Sequence, residues 1–285
     1  MLYREVAAHR KLRHLVKCFW MLDHDYANSF HDHEQLWADT HTELIFGAGH
    51  SYFRRSGARK IAVPPNFVIG PFQHDLELYS MGRTNFVAAR FWPWGFHALS
   101  RIPMQELKNT VSSCRKTLGA AMESIGRRLA VLEGGDARVA ELEQALLKAV
   151  TTIDAPRLHS RPMAEDIVNA RGVIRAGELA RAWRIHPRRM ERLFIEEIGV
   201  SAKVFARIVR FNHAKRAIER KPDIDLIWLA HECGYSDQSH FTRNFREMFG
   251  LTPSAFQSKV KEMMRRFAQE RHDVVFVQDS AAQSE

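Results

Sequence analysis

The sequence predicts an α+β chain of two domains. The first is a β-rich, sandwich- or barrel-like domain with trailing helices, and the second is an all-α domain made of two copies of one helical unit. Three observations carry this. Residues 1 to about 103 hold short β-favouring runs bounded by Gly, Pro or Asn. From residue 104 these runs vanish and helix-compatible apolar spacing takes over. A near-repeat at a fixed offset of 51 residues then fills much of the C-terminal part.

Composition bounds the classes. The chain has 285 residues, 45% hydrophobic and 26% charged, as an ordinary globular protein does. Either half is long enough to bury a core. No apolar run approaches the ~18–20 residues of a membrane span. The first twenty residues scatter charges without an apolar core or a small-residue cleavage site, so no signal peptide and no membrane partner are expected. Cys18, Cys114 and Cys233 are odd in number and far apart. That argues against a disulfide scaffold and fits a reducing cytoplasm, the expected location. The net charge is +9. Residues 161–271 carry 22 Lys and Arg against 14 Asp and Glu, so most of the excess sits there, where a polyanion contact is to be sought.

The elements follow in order. HTELIFGAGH, NFVIGPF, DLELYSM and NFVAARFW read as strands. Over 104–150, Leu129, Leu132, Val139, Leu142, Leu146 and Val150 recur at helical spacing. Gly134 and Gly135 divide this zone into two helices, with Asp136 as the expected N-cap. Residues 1–153 therefore form the first domain. The stretch 154–162 carries two prolines and reads as a linker. Residues 163–271 are the helical domain, and 272–285 a loosely ordered tail.

The repeat is specific. RLFIEEIGVSAKVF starts at Arg192 and RNFREMFGLTPSAF at Arg243. Upstream, Leu179-Ala180 and Leu229-Ala230 match at an offset of 50, so the second copy carries one extra residue in the turn. In that copy Leu226, Leu229, Ala230 and Cys233 make one apolar helix face. Gly234 supplies a left-handed turn, and Ser236 or Asp237 caps the next helix. There Phe241, Phe245 and Met248 face inward, while Gln238, Ser239, Thr242 and Arg243 face outward. In the first copy Leu179, Ala180 and Trp183 form the inner face and Pro187 opens the second helix. Met190 and Phe194 point inward; Arg188, Glu191 and Arg192 point outward. This is the logic of a helix-turn-helix, whose second helix presents its N-terminal half to base edges.

The motif A-x-x-C-G-Y-S-D-Q-S-H-F-T-R-x-F-R-E-x-F-G-L-T-P, with its tandem partner, resembles the DNA-binding domain of AraC/XylS-type transcription regulators. The match covers about 170–267. FWMLD, ADTHTELIF and RFWPWG are similar in outline to a β-rich effector domain of such regulators. The resemblance implies seven helices, with a long one near Ala202–Arg220 joining two units that enter successive major grooves of double-stranded DNA. By motif position, Arg188, Glu191 and Arg192 read bases in the first copy, and Gln238, Ser239, Thr242 and Arg243 in the second. Arg bridges G O6/N7, Gln pairs with adenine, Glu accepts from cytosine N4 and Thr meets a thymine methyl. Arg207, Arg210, Lys215 and Arg216 are expected to position the backbone or stay solvated. The family further implies contact with RNA polymerase, a small-molecule effector in the N-terminal domain and a homodimer. The first copy departs from the pattern: Arg184 stands where Gly is usual, and His186 where a Ser or Thr cap is usual.

Two other functions compete. The N-terminal zone has nine histidines, and His31-x-His33 resembles the start of a cupin metal motif. A cupin-like metal-dependent enzyme fused to a DNA-binding domain would follow. The Glu that motif needs is absent, because Trp37 and Ala38 stand there. No catalytic residue, metal or other cofactor is therefore expected, and the chain reads as no enzyme. The other rival is a constitutive regulator whose N-terminal domain only dimerises. The aromatics Trp20, Phe46, Phe91, Trp92, Trp94 and Phe96 read as core, with some available to line a pocket.

Overall fold

The computed structural model describes residues 2–25, 33–49, 52–56, 59–74, 76–80, 82–152, 158–269 and 275–278. Its strands are β1 (Leu2–Ala7), β2 (Val16–Asp25), β3 (His33–Leu36), β4 (Thr42–Gly49), β5 (Tyr52–Ser56), β6 (Arg59–Ala62), β7 (Asn66–Ile69), β8 (Leu76–Ser80), β9 (Arg83–Phe91), β10 (Val111–Ser113) and β11 (Val275–Gln278). Helices α1 (Gly95–Ser100), α2 (Cys114–Val131) and α3 (Gly135–Thr152) complete the N-terminal domain. A seven-stranded sheet runs in the order β10-β7-β4-β9-β2-β1-β11, and a four-stranded one in the order β3-β8-β5-β6.

The larger sheet is buried on both faces, and its sequence shows why. Along β2 the side chains alternate between two cores. Phe19 and Met21 face one with α2 and α3, whereas Trp20 and Leu22 face the other, between the sheets. The register puts Trp20 and Ile45 on either side of Ala88 in one row. Phe19 and Leu44 flank Ala89 in the next row, on the opposite face. A strand with a period of two and no polar face must be covered twice. The buried carboxylate inside it is paired: Glu43 accepts from Trp20 Nε1 at 2.7 Å and from Arg90 Nε at 2.5 Å.

Several expectations need correction. The zone 104–150 is not wholly helical. Met104–Glu106 is a 3₁₀ turn, and β10 pairs with β7 before α2 starts. β-branched and hydroxyl residues around Val111 suit an edge strand better than a helix. Asp136 lies in the first turn of α3 rather than capping it, and its carboxylate meets Arg4. The tail is not wholly loose, since β11 adds a parallel edge strand beside β1. His31 and His50 lie outside the described residues. Among the described residues, no group of three or more His, Cys, Asp or Glu could hold a metal ion, and no helix is long and apolar enough to cross a membrane.

The helical domain holds α4 (Arg161–Asn169), α5 (Ala176–Ala182), α6 (Pro187–Glu197), α7 (Ala202–Arg220), α8 (Leu226–Glu232), α9 (Gln238–Phe249) and α10 (Pro253–Gln269). The end of the expected linker is already structure, because Arg161 and Pro162 open α4. Its approach is clasped by Glu197, only 5% exposed. That carboxylate accepts from the His159 and Ser160 N–H groups at 3.1 and 2.8 Å and from the Ser160 hydroxyl at 2.6 Å. A buried carboxylate is tolerated when donors surround it in this way.

Among the described residues the two domains touch at Trp37 and Ala38, at Trp94 and around Gly199. Trp37 stacks on Phe249, with ring centroids 3.4 Å apart and planes 12° apart, and Lys259 Nζ lies 5.7 Å from the Trp37 ring centroid. Asn212 Nδ2 donates to the Ala38 carbonyl. Trp94 is buried in the core of the first helical unit, beside Met163 and Phe194. At the third place Gly199 (φ 92°) faces the N-terminal domain so closely that a Cβ would stand 2.8 Å from both the Met104 carbonyl oxygen and Pro71. Only Gly meets both demands.

All three cysteines are buried. Burial pushes the Cys18 and Cys114 thiols from 9.0 to about 12, and Cys233 to about 11. Because folding disfavours the thiolates, this contribution to stability is intact below pH about 9 and declines as pH rises towards the folded values. Native protein at pH 7.5 should therefore leave Ellman's reagent unreacted over minutes, whereas urea-unfolded protein should release three equivalents. Prompt release of even one equivalent from the folded chain would contradict this burial.

Candidate nucleic-acid interface

Each unit is a short helix, a left-handed turn and a longer helix. In the second, Asp225 caps α8 by accepting from the Ile227 and Trp228 N–H groups. Leu229, Ala230 and Cys233 are buried as the spacing predicts. Gly234 turns with φ 71°, and Asp237 caps α9, accepting from His240 N–H at 2.7 Å. That hydrogen bond, followed by one from the Ser236 hydroxyl, holds the Asp237 carboxyl below its ordinary range.

The first unit reaches the same geometry with different residues. Arg184 sits at φ 47°, the left-handed conformation that Gly234 adopts at the corresponding place. A non-Gly residue there costs roughly 1 kcal/mol. The expected loss of the cap is corrected: His186 caps α6, its Nδ1 accepting from Arg188 N–H at 3.3 Å. A neutral imidazole nitrogen is an acceptor, as a Ser hydroxyl is. One more expectation fails. Trp183 is 43% exposed rather than on the inner face, and its Nε1 donates to Asp166 at 2.7 Å, tying α5 to α4. The repeat itself holds in three dimensions. Ala180 and Ala230 are both buried, and Gly199 and Gly250, with φ of 92° and 72°, terminate α6 and α9.

The outward residues stand where sequence reasoning put them. Arg188, Glu191 and Arg192 are exposed on the N-terminal half of α6, opposite the buried Met190 and Phe194. On α9, Gln238, Ser239 and Arg243 are exposed and Thr242 is half-buried, opposite Phe241, Phe245 and Met248. All four α9 residues line one shallow concavity of about 640 Å³, together with Arg246, Glu247 and Thr252. Arg246 was missed, although its place three residues after Arg243 puts it on the same helix face. Thr252 was missed because the turn after Gly250 brings it there; it also caps α10 through Ala255 N–H.

The cations on α7 divide differently from expectation. Arg210 is not a solvated or phosphate-facing group. Its Nε and Nη2 both donate to the Gly172 carbonyl, at 3.1 and 2.7 Å, and its guanidinium lies over the Tyr235 ring at 5.3 Å. It staples the turn after α4 to the turn before α9. Arg207 pairs with Glu247 of α9 at 3.7 Å, and Lys215 with Glu219 one turn along.

Residues 179–259 match the helix-turn-helix domain family, and residues 4–113 match a domain family of unknown function, DUF6597. The regulator GlxA of Rhizobium meliloti is 30% identical over 81 residues, which cover 28% of this chain and 25% of that protein. YbfP of Bacillus subtilis, described as an uncharacterized HTH-type transcriptional regulator, is 27% identical over 131 residues, 46% of this chain and 38% of its own length. The chain thus spans well under half the length of these curated relatives. A solved structure of ToxT from Vibrio cholerae matches 84% of this chain and 98% of its own, at 10% identity and a TM-score of 0.47. That likeness is too loose to transfer a ligand or a mechanism. The C-terminal part of the chain carries a helix-turn-helix domain.

Arg210→Ala should destabilise the fold by about 1.5–3 kcal/mol, the range for hydrogen bonds to charged groups. Arg243→Ala, at an exposed position, should stay within about 0.5 kcal/mol of the parent. Urea melts followed by circular dichroism compare the two. Equal midpoints for Arg210→Ala and the parent would remove the staple from the account.

Proposed function

We propose that this chain is a sequence-specific transcription regulator that reads double-stranded DNA with the N-terminal halves of α6 and α9. The observation that carries the reading is the polarity of those helices. Both are held at their C-terminal ends by the N-terminal domain, through Gly199 and Phe249, while their N-terminal halves expose Arg, Glu, Gln, Ser and Thr. Those side-chain types form the donor and acceptor pairs that distinguish base pairs in the major groove. Arg188, Glu191 and Arg192 would read one segment, and Gln238, Ser239, Thr242 and Arg243 another, about one helical turn of ~34 Å away. The basic balance of residues 161–271 supports approach to a polyanion.

The N-terminal domain is, in this reading, the sensing and dimerising part. A small molecule bound there would act by favouring one arrangement of the two domains over another. RNA polymerase is the partner through which binding becomes activation. The reading assigns no catalytic step to the chain and puts it in the cytoplasm, where the DNA is.

Selection of bound DNA by the full-length protein at fixed salt, followed by footprinting, tests the proposal. Two protected major-groove segments about one turn apart are expected. One segment only would remove α6 as a reader, and no specific site, with and without cell metabolites, would overturn the reading. Arg243→Ala should lose about 1–3 kcal/mol of discrimination at a single base position. Uniform weakening across sequences would show that Arg243 contacts phosphate instead. Trp37→Ala removes an aromatic stack worth about 0.5–1.5 kcal/mol beyond its buried area. It should shift affinity for every sequence while leaving base preference intact. Unchanged affinity in a mobility-shift titration would detach domain docking from regulation.

A further inference from the structure

We infer that the cleft between the adjoining ends of β2 and β9 and the α2–α3 turn is a binding site for a small organic carboxylate with an apolar body. The inference deepens the regulator reading, and rests on it, by naming where an effector sits and what chemistry it has. The cleft holds about 560 Å³, within the range for small-molecule sites. Leu2, Met21, Leu22 and Leu132 give it apolar walls.

Its polar feature is Arg138 on α3, which is only 4% exposed. Nη1 donates to Asn85 Oδ1 and Nη2 to the Phe46 carbonyl at 3.4 Å, both neutral acceptors. Nε is buried with no acceptor. A guanidinium removed from water is ordinarily matched by a carboxylate, because neutral acceptors do not balance the charge. The carboxylate of Asp23 lines the same cleft but is engaged elsewhere. It takes Arg83 through both oxygens, at 3.0 and 2.9 Å, and Asn85 Nδ2 at 3.4 Å. Asn85 thus links that ion pair to a guanidinium that the Asp23 charge reaches through space but to which no carboxylate is hydrogen-bonded.

Two further features fix the ligand class. Gly134 and Gly135 place the N-terminal end of the 18-residue α3 at the cleft, and a helix N-terminus carries partial positive charge. One buried guanidinium and one helix end balance a single negative charge. A dianionic phosphate would add a second, beside Asp23 and Glu133. Glu133 is exposed at the rim, where solvent screens it. The wall of aliphatic and thioether side chains calls for an apolar body behind the carboxylate. The cleft shares no residue with the DNA-facing surface.

The test uses full-length protein with benzoate, hexanoate and 4-phenylbutyrate as probes, each beside its primary amide. Isothermal titration and thermal shift read binding, and footprinting reads DNA recognition in the same preparations. At least one carboxylate should bind, with its amide at least about tenfold weaker, since a charge-assisted hydrogen bond is lost. Arg138→Gln should weaken the carboxylate by about tenfold or more. Leu132→Trp, which fills the cleft and leaves Arg138 in place, should do the same. If Arg138→Gln fails to fold, Leu132→Trp decides. No carboxylate binding to the parent up to about 10 mM, equal binding of acid and amide, or parent-like binding by Leu132→Trp would overturn the site. Carboxylate binding without any specific footprint would sink the regulator reading alone. A specific footprint without carboxylate binding would sink the site alone.

Discussion

The arrangement of this molecule depends on one helix belonging to two cores. Ala202, Phe205 and Ala206 of α7 are packed into the first helical unit, and Ile208, Phe211, Ala214 and Ile218 into the second. Nineteen residues at about 1.5 Å each make α7 about 28 Å long. Each unit is fixed to one end of this rod, so the separation of α6 and α9 is set by helix geometry rather than by a flexible joint. Two short helices and a turn bury too little surface to stand alone. Sharing α7 supplies the missing core and couples the stability of the units to their spacing.

The N-terminal domain adds a second constraint. Its larger sheet is apolar on both faces and is covered by α1–α3 on one side and the smaller sheet on the other. The residues left to contact the helical domain therefore lie outside the sheets: Trp37 and Ala38 before β4, Trp94 after β9, and Pro71 and Met104 near Gly199. These contacts reach both helical units. A shift of the N-terminal domain is thereby felt at the C-terminal ends of both reading helices, while their outward faces stay open.

Electrostatics sort into structural and free charge. Buried ionic groups mostly have partners: Glu43 with Arg90 and Trp20, and Glu197 with the 159–160 backbone. Arg210 spends its charge on a carbonyl and a tyrosine ring. Arg138 breaks the pattern: its hydrogen bonds go to neutral acceptors, its Nε has none, and the Asp23 carboxylate reaches it only through space. The outward cations of α6 and α9 are exposed, where charge acts on whatever approaches rather than on the fold.

Sequence alone determined what is local or periodic. The seven C-terminal helices and the span of α7 follow from the resemblance to AraC/XylS-type regulators, while the inward Phe241 and Phe245 and a cap at Ser236 or Asp237 follow from spacing, because helix period and turn chemistry act over a few residues. The outward set from Arg188 to Arg243 follows by the same arithmetic. Tertiary structure decided what depends on distant neighbours. β10 exists because β7 offers it an edge. His186 caps α6 because its ring turns back onto Arg188 N–H, which no propensity announces. Arg210 looks like any surface cation in sequence, yet the turn at Gly172 and the ring of Tyr235 claim it. The buried charge of Arg138 needs residues 85, 46 and 138 brought together before it can be seen. Periodicity reports which way a side chain points; only the folded chain supplies what it meets there.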